Sequence, residues 1–260
     1  MRDRKLPSFL TFLFLPALFF LVFSACVFFN NRSFRQFTGQ IFRSELAGNT
    51  LNLHYTLKHP ENYGISEAPV TLGSAEPEVL EASGLVLENY QEVLRRFPYQ
   101  TLSKTNRLTY DILQLYLQNQ LSGQKFALYA EPLGPTIGTQ AQLPVLLAEY
   151  AFRNKADIET YLTLLTEMDE YYSTLVHFEE AKSREGLFMS ASAAQAVIDQ
   201  CNAFIREPSK NFLITVFAEK IENMIVASAD LSRRSRKRIF SPRWRKSIFW
   251  NKTKKPSWSM

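Results

Sequence analysis

Apolar residues recur every three or four positions over most of this chain, the spacing typical of amphipathic helices. The clearest stripe predicts a helix that is capped by Ser74, carries Pro77 in its first turn and ends at Pro98. One face of this predicted helix is suited to packing against a core. Its apolar positions are Val79, Ala82, Val86, Tyr90, Val93, Leu94 and Phe97.

Further stripes predict helices on both sides of this one. An earlier helix is expected over residues 34–53. A later one, over residues 104–121, is apolar on more than one side and is therefore expected to be central. The longest begins at Asn154, with Asp157 placed as in a capping box, and is closed by Gly186. These helices account for most of the middle of the chain.

The remaining periodic segments are two shorter helices on either side of Pro208, a residue that does not continue a helix. No alternating strand of useful length is visible, and only residues 126–130 could form a short extended piece. The sequence therefore predicts a mainly α fold. Its simplest form is an antiparallel multi-helix array that follows an N-terminal membrane or signal helix.

Residues 1–30 have the pattern of a membrane or export signal. Arg2, Arg4 and Lys5 precede an uncharged run over residues 6–29, which holds eight phenylalanines and six leucines. The run is long enough to cross a bilayer as a helix, and the basic residues before it predict a body outside the cytoplasm. We therefore expect a cell-membrane location with the body on the extracytoplasmic side.

Cys26 is a candidate for lipidation. It follows Phe23, Ser24 and Ala25, which resemble a bacterial lipoprotein box except that phenylalanine stands where leucine is usual. An uncleaved anchor, a conventionally cleaved signal peptide and an ordinary apolar cysteine are the alternatives. Cys201 lies on the apolar face of a predicted helix, so a buried and unreactive thiol is expected there.

Charge is divided unevenly along the chain. The formal net charge is +5, but residues 229–260 hold eleven lysines and arginines and one acid, so the body is mildly acidic. Nucleic-acid binding by the body is therefore not expected. The abrupt change in composition after about residue 227 looks like out-of-frame translation. A basic-aromatic tail that binds anionic surfaces or, less expectedly outside the cytoplasm, nucleic acid is one alternative, and a disordered tail is the other.

A search for catalytic motifs is mostly negative. The sequence contains no His-Glu-x-x-His, phosphate-binding loop, dinucleotide motif or nucleophile elbow. His177 is expected on a helix surface or satisfied in the interior. His54 and His59 straddle a turn, which disfavours a metal pair. One acidic run is expected to form a solvated helix face: Glu167, Asp169, Glu170, Glu179 and Glu180.

Several segments share the sequence features of a known bacterial family. The most distinctive is residues 131–150, EPLGPTIGTQAQLPVLLAEY. Shorter matching segments are residues 49–57, 63–65, 108–113, 186–190 and 211–214. On these residues the chain resembles the N-terminal part of the bacterial domain-of-unknown-function family 885. The resemblance extends over about residues 35–226.

The resemblance implies a largely α-helical protein that is similar to zinc metallopeptidases of the gluzincin type. In that family the His-Glu-x-x-His helix lies in the C-terminal half, so no metal ligand or general base is carried over to this chain. Zinc is expected only in the full-length family. The matching residues would instead wall a peptide cleft. Within the irregular connection over residues 131–144, the segment over residues 134–144 is the candidate cleft loop, with Gly134, Gly138, Gln140 and Gln142 as candidate residues.

The sequence thus predicts three parts: a signal peptide or anchor over residues 1–30, a helical part of the family domain over residues 31–228, and a basic tail over residues 229–260. The leading hypothesis is an extracytoplasmic, membrane-associated N-terminal fragment of a metallopeptidase-like protein, incomplete relative to the family and inactive alone. The alternative is a membrane-tethered helical module that binds peptides. An enzyme with unrelated chemistry is a third hypothesis, for which the motifs offer no nucleophile.

Overall fold

A computed structural model describes the backbone of residues 8–239 and the side chains of residues 18–226. Every regular element in that part of the chain is helical, which confirms the prediction of a mainly α fold. Short 3₁₀ turns connect some of the helices. The α-helices are α1 (Ser8–Ala47), α2 (Thr50–Thr56), α3 (Pro77–Arg95), α4 (Lys104–Gly123), α5 (Thr139–Glu149), α6 (Lys155–Arg184), α7 (Ala191–Ile205) and α8 (Phe212–Ile239).

Helix α1 is exposed before residues 30 and 31 and packed against the body after them. Before them, the described side chains are mostly apolar and exposed, with Phe19, Phe20 and Leu21 each about two-thirds exposed. From Asn31 onward the helix is joined to the body, because the Asn31 side chain bonds the 101–106 segment and the Phe34 side chain is fully buried. The first half of α1 is therefore unpacked and the second half belongs to the core.

The membrane-spanning segment predicted over residues 6–29 begins among residues 1–7, which lie outside the described residues. Among the helices that the structure does describe, none is long and apolar enough to cross a bilayer. The structure therefore leaves the N-terminal membrane helix as a prediction. Most of the predicted tail, residues 240–260, also lies outside the described residues.

The helix predicted over residues 34–53 is in fact two helices. Helix α1 ends at Ala47, and Asn49 caps the start of α2 by accepting a hydrogen bond from the Asn52 backbone N–H at 2.9 Å. The Asn49 amide also donates to the Leu72 carbonyl at 2.7 Å. Asparagine is among the strongest N-cap residues, so it ends one helix here and begins the next.

Helices α3 and α4 form an antiparallel pair, since Pro77 and Glu81 at the start of α3 line the same depression as Gln124, just after the end of α4. Helix α3 begins at Pro77 as predicted. The predicted cap is not formed, because the Ser74 hydroxyl accepts a hydrogen bond from the Glu76 N–H, which lies before the helix. The prediction that α4 is central is wrong. Leu108, Ile112 and Leu115 of this helix are each about 60% exposed, whereas Leu117 is fully buried in a small core cluster with Phe34, Leu94 and Leu102.

The second core lies where α2, α5 and α6 meet, with α8 against its edge. Helix α6 begins with the predicted capping box between Asn154 and Asp157, and the chain leaves it through Gly186 in the left-handed conformation. Lys220 fastens α8 by donating to the carbonyls of Ala148 and Tyr150. The buried residues of this core are Leu51, Leu72, Leu143, Leu147, Tyr150, Tyr161 and Leu164.

Two further local predictions are corrected by the structure. Residues 126–130 are not extended, because the chain continues from α4 into a 3₁₀ turn, Gln124–Tyr129. Cys201 is not buried, since its side chain is exposed on α7. The apolar face of α7 is broad, and only Val197 on it is buried.

Candidate ligand-binding groove

The candidate cleft loop is shorter than predicted. Helix α5 begins at Thr139, so Gln140 and Gln142 lie in its first turn and only the residues before it form an irregular connection. The Gly138 N–H donates to the Gly134 carbonyl at 3.1 Å, and the Thr139 N–H donates to the Pro132 carbonyl at 2.8 Å. The connection is thus a closed turn that is tied to the start of α5.

Gln140 joins this turn to α7. Its amide donates to the Gly134 carbonyl and to the Gln200 side chain, both at 2.7 Å, and Gln200 in turn donates to the Pro135 carbonyl at 2.7 Å. Gly138 has no room for a side chain, because a Cβ there would lie 2.6 Å from the Gly134 oxygen and closer still to the Gln140 side chain. These predicted residues therefore fix the turn against α7.

Gln142 lies apart from the other three candidates. It is exposed and lines a depression of about 450 Å³ together with Asn52, Tyr55 and Leu146. The Tyr55 hydroxyl donates to the Leu146 carbonyl at 2.6 Å. The structure thus brings together Gly134, Gly138 and Gln140, whereas Gln142, in the same turn of α5, lines a separate depression.

An apolar groove lies beside the turn, between the C-terminal half of α6 and the first half of α7. Its volume is about 380 Å³. Phe188 is 47% exposed and Ile198 is 51% exposed, so large apolar groups face solvent along its length. We call these residues the α6–α7 groove: Leu133, Val176, Glu179, Glu180, Ser183, Phe188, Met189, Ala194, Val197 and Ile198.

Glu179 of α6 lines the groove, and Lys182 lies one turn further along the same helix. Lys182 is fully buried, donates to the Ala130 carbonyl at 2.7 Å and pairs with Glu131 at 2.9 Å. Glu179 is only 6% exposed, and neither of its carboxylate oxygens has a hydrogen-bond partner among the described residues. Burial raises the pKa of Glu179, although the charge of Lys182 acts in the opposite direction.

Glu179 is the functional candidate that sequence reasoning missed. The acidic run was expected to form a solvated helix face, and that prediction is wrong for this residue. The spacing offered a signal, because Leu175, on the apolar stripe of this helix, lies one turn before Glu179 and therefore on the same face. In the structure this face is buried, and Lys182, one turn after Glu179, is buried with it. Position on the helix, not the local excess of acids, decides which carboxylates are solvated.

A larger cavity of about 550 Å³ lies near α2 and the start of α6. His54 forms one wall, where its ring stacks on Tyr150 with 3.7 Å between centroids. Its Nε2 accepts from the Ala151 backbone N–H at 3.2 Å, and Arg153 donates to its carbonyl at 2.9 Å. Burial and the nearby Arg153 charge lower the pKa of His54 to about 4, so the ring is neutral near pH 7.

The described residues do not fit a zinc site. The His54 ring accepts a hydrogen bond from the Ala151 backbone and stacks on Tyr150. His59 pairs with Glu61 at 3.1 Å, and His177 pairs with Glu76 at 2.6 Å. Within the part of the chain that the structure describes, no three histidine, cysteine or acidic residues come together as a metal site would require. No chemical step is therefore assigned to a metal here.

The family described as Bacterial protein of unknown function (DUF885) matches residues 63–243, which is more than half of the chain. The chain belongs to this family, which confirms the resemblance drawn from its sequence. The match includes the turn before α5 and all of the α6–α7 groove. No curated protein matches the chain. No solved structure matches it either.

Proposed function

We propose that this chain supplies a peptide-binding helical wall of an extracytoplasmic, membrane-associated protein similar to zinc metallopeptidases. The observation that carries the proposal is the α6–α7 groove, an open apolar channel whose edge is set by the turn at residues 131–138. Binding sites are typically concave, mainly apolar and largely preformed, with a few polar groups that orient the ligand. The groove is concave and mainly apolar, and Glu179, Glu180 and Ser183 are its polar residues.

The membrane part of the proposal is supported by the first half of α1. A run of phenylalanines and leucines over residues 18–29 is exposed in the described structure. Soluble monomers rarely leave so large a contiguous apolar surface uncovered. We propose that residues 1–30 lie in or on the cell membrane and that the packed body begins near Asn31. Cys26, which is exposed on α1, remains the candidate for lipidation.

The metallopeptidase part of the proposal rests on the family resemblance. Zinc is proposed for the full-length family only, and no residue of this chain is given as a ligand. What this chain contributes in the proposal is peptide binding, which the groove supports whether the peptide is then cleaved or only held. The alternative function, a membrane-tethered module that binds peptides without cleaving them, would use the same groove.

The proposal is tested by blocking the groove. Ala194 lines it, so Ala194→Trp should fill the space that a peptide would occupy. The matched control is Gln195→Trp, at the next position of α7 and on its exposed surface. Binding of fluorescent leucine-rich peptides to the full chain in detergent would be measured by anisotropy. We expect Ala194→Trp to weaken binding at least about tenfold and the control to leave it unchanged. Equal binding by both variants would refute the groove as the site.

A further inference from the structure

We infer that the α6–α7 groove prefers peptides that carry a lysine or arginine, whose cationic group pairs with the buried Glu179 carboxylate. The inference rests on the proposed function, because it names the peptide class that the same groove would select. It predicts a specific anchor in the groove in addition to general apolar contact.

Glu179 lacks a partner that its burial requires. Both of its carboxylate oxygens are buried and without a hydrogen bond among the described residues. A buried carboxylate without donors is costly, so such a group in a native structure needs an explanation. Lys182 lies one turn further along α6, but its ammonium already donates to Ala130 and pairs with Glu131. The Lys182 ammonium is therefore engaged by Ala130 and Glu131, and the Glu179 carboxylate has no hydrogen-bond donor among the described residues.

The walls of the groove suit the stem of a basic side chain. Lysine and arginine bury their methylene stems against apolar surfaces while their charged ends reach a polar partner. Val176, Phe188, Val197 and Ile198 supply the apolar surface, and Glu179 lies among them as a polar partner. The volume of about 380 Å³ lies at the lower end of the range for small-ligand sites, about 300–1,000 Å³. This is adequate for one long side chain and parts of its neighbours.

Charge favours a cation over an anion at this position. Glu180 also lines the groove, and Glu131 lies close enough to Glu179 to raise its pKa. Lys182 is the basic group that acts on Glu179 most directly. A peptide carboxylate in the groove would therefore meet two acids that line it, whereas an ammonium or guanidinium group would satisfy the buried oxygens of Glu179.

The experiment compares three short peptides that differ only at one central residue between leucines: lysine, norleucine or glutamate. Their affinities for the full chain in detergent would be measured by fluorescence anisotropy at pH 7.5. We expect the lysine peptide to bind about tenfold more tightly than the norleucine peptide. The glutamate peptide should bind most weakly. Glu179→Gln should abolish the lysine preference without changing norleucine affinity, whereas Glu180→Gln should retain the preference.

The outcomes separate this inference from the proposed function. If lysine and norleucine peptides bind equally well to the wild-type chain, the inference is overturned and peptide binding stands. If neither peptide binds, both the inference and the proposed function fail. A lysine preference that survives Glu179→Gln also overturns the inference. Thermal unfolding provides the folding control, because Glu179→Gln removes a buried charge and should not lower the melting temperature. A lower melting temperature together with loss of norleucine binding would show a structural role instead.

Discussion

The ammonium of Lys182 is fully buried and lies 2.9 Å from the carboxylate of Glu131, which is largely exposed at the surface. The same ammonium donates to the carbonyl of Ala130. One side chain of α6 therefore holds the start of the turn that borders the α6–α7 groove. Because this cation is engaged on the turn, the Glu179 carboxylate has no hydrogen-bond donor within the part of the chain that the structure describes. The shape and the charge of the groove thus depend on the same residue.

Replacement of Lys182 by methionine should destabilise the protein. The methionine side chain can fill much of the space, but the Ala130 carbonyl loses its donor and Glu131 loses its partner. We expect a loss of about 2 kcal/mol in the free energy of unfolding, measured by urea titration. The control is Lys155→Met, which removes an exposed pair with Glu159 and should cost less than about 0.5 kcal/mol. Equal losses would show that Lys182 does not hold the turn.

Gly138→Ala should disturb the turn before α5. The added Cβ would lie 2.6 Å from the Gly134 oxygen, and this backbone contact cannot be relieved by rotation of a side chain. We expect the free energy of unfolding to fall by about 1–3 kcal/mol. Gly134→Ala is the matched control, because a Cβ there meets nothing within 4 Å and should change stability by less than about 0.5 kcal/mol. The test is whether Gly138→Ala lowers the free energy of unfolding more than Gly134→Ala does. A larger loss in Gly134→Ala would refute the described turn.

His54 should make stability depend on pH on the acidic side of neutrality. Its pKa is about 4 in the folded chain and about 6.5 when exposed, so the unfolded chain binds more protons between these values. The free energy of unfolding should therefore fall as pH drops from 7 towards 4, with about 2–3 kcal/mol due to this residue. His54→Gln should flatten that dependence in urea titrations at several pH values. An unchanged slope in His54→Gln would refute the prediction.

Lipidation of Cys26, one form of the membrane proposal, predicts that the two cysteines behave differently. Both are exposed in the described structure, so accessibility does not distinguish them. If Cys26 is lipidated, a bacterial host fed an alkyne fatty acid should label the wild-type chain and Cys201→Ser but not Cys26→Ser. If the span is an uncleaved anchor, none of the three should be labelled and all should remain in the membrane fraction. Recovery of the wild-type chain from the cytosolic fraction would contradict the membrane proposal.

The fold class and several helix ends could be predicted from local chemistry. The capping box at Asn154 and Asp157, the proline at the start of α3 and the glycine after α6 are short-range signals, and each lies where the structure has a helix end. The break before Asn49 was missed because the apolar stripe continues across it. A cap residue inside a periodic segment is visible in the sequence, but only packing decides whether it interrupts the helix.

The candidate site was less predictable, because burial depends on which helices meet. Cys201 lies on an apolar stripe yet is exposed, since Val197 is the only residue of α7 that is buried in the described structure. Glu179 belongs to an acidic run yet is buried, since it shares a helix face with buried Leu175 and Lys182. Sequence spacing shows which residues share a face of a helix. Whether another helix covers that face depends on the tertiary arrangement.

The central claim is that peptides bind in the α6–α7 groove, and hydrogen exchange of the full chain with and without the lysine peptide tests it most directly. Bound peptide should slow exchange in residues 176–183 and 188–198, the two segments that supply most of the groove. Exchange near His54, in the larger cavity, should not change. Protection confined to the His54 cavity, or no protection in either groove segment at saturating peptide, would contradict the account.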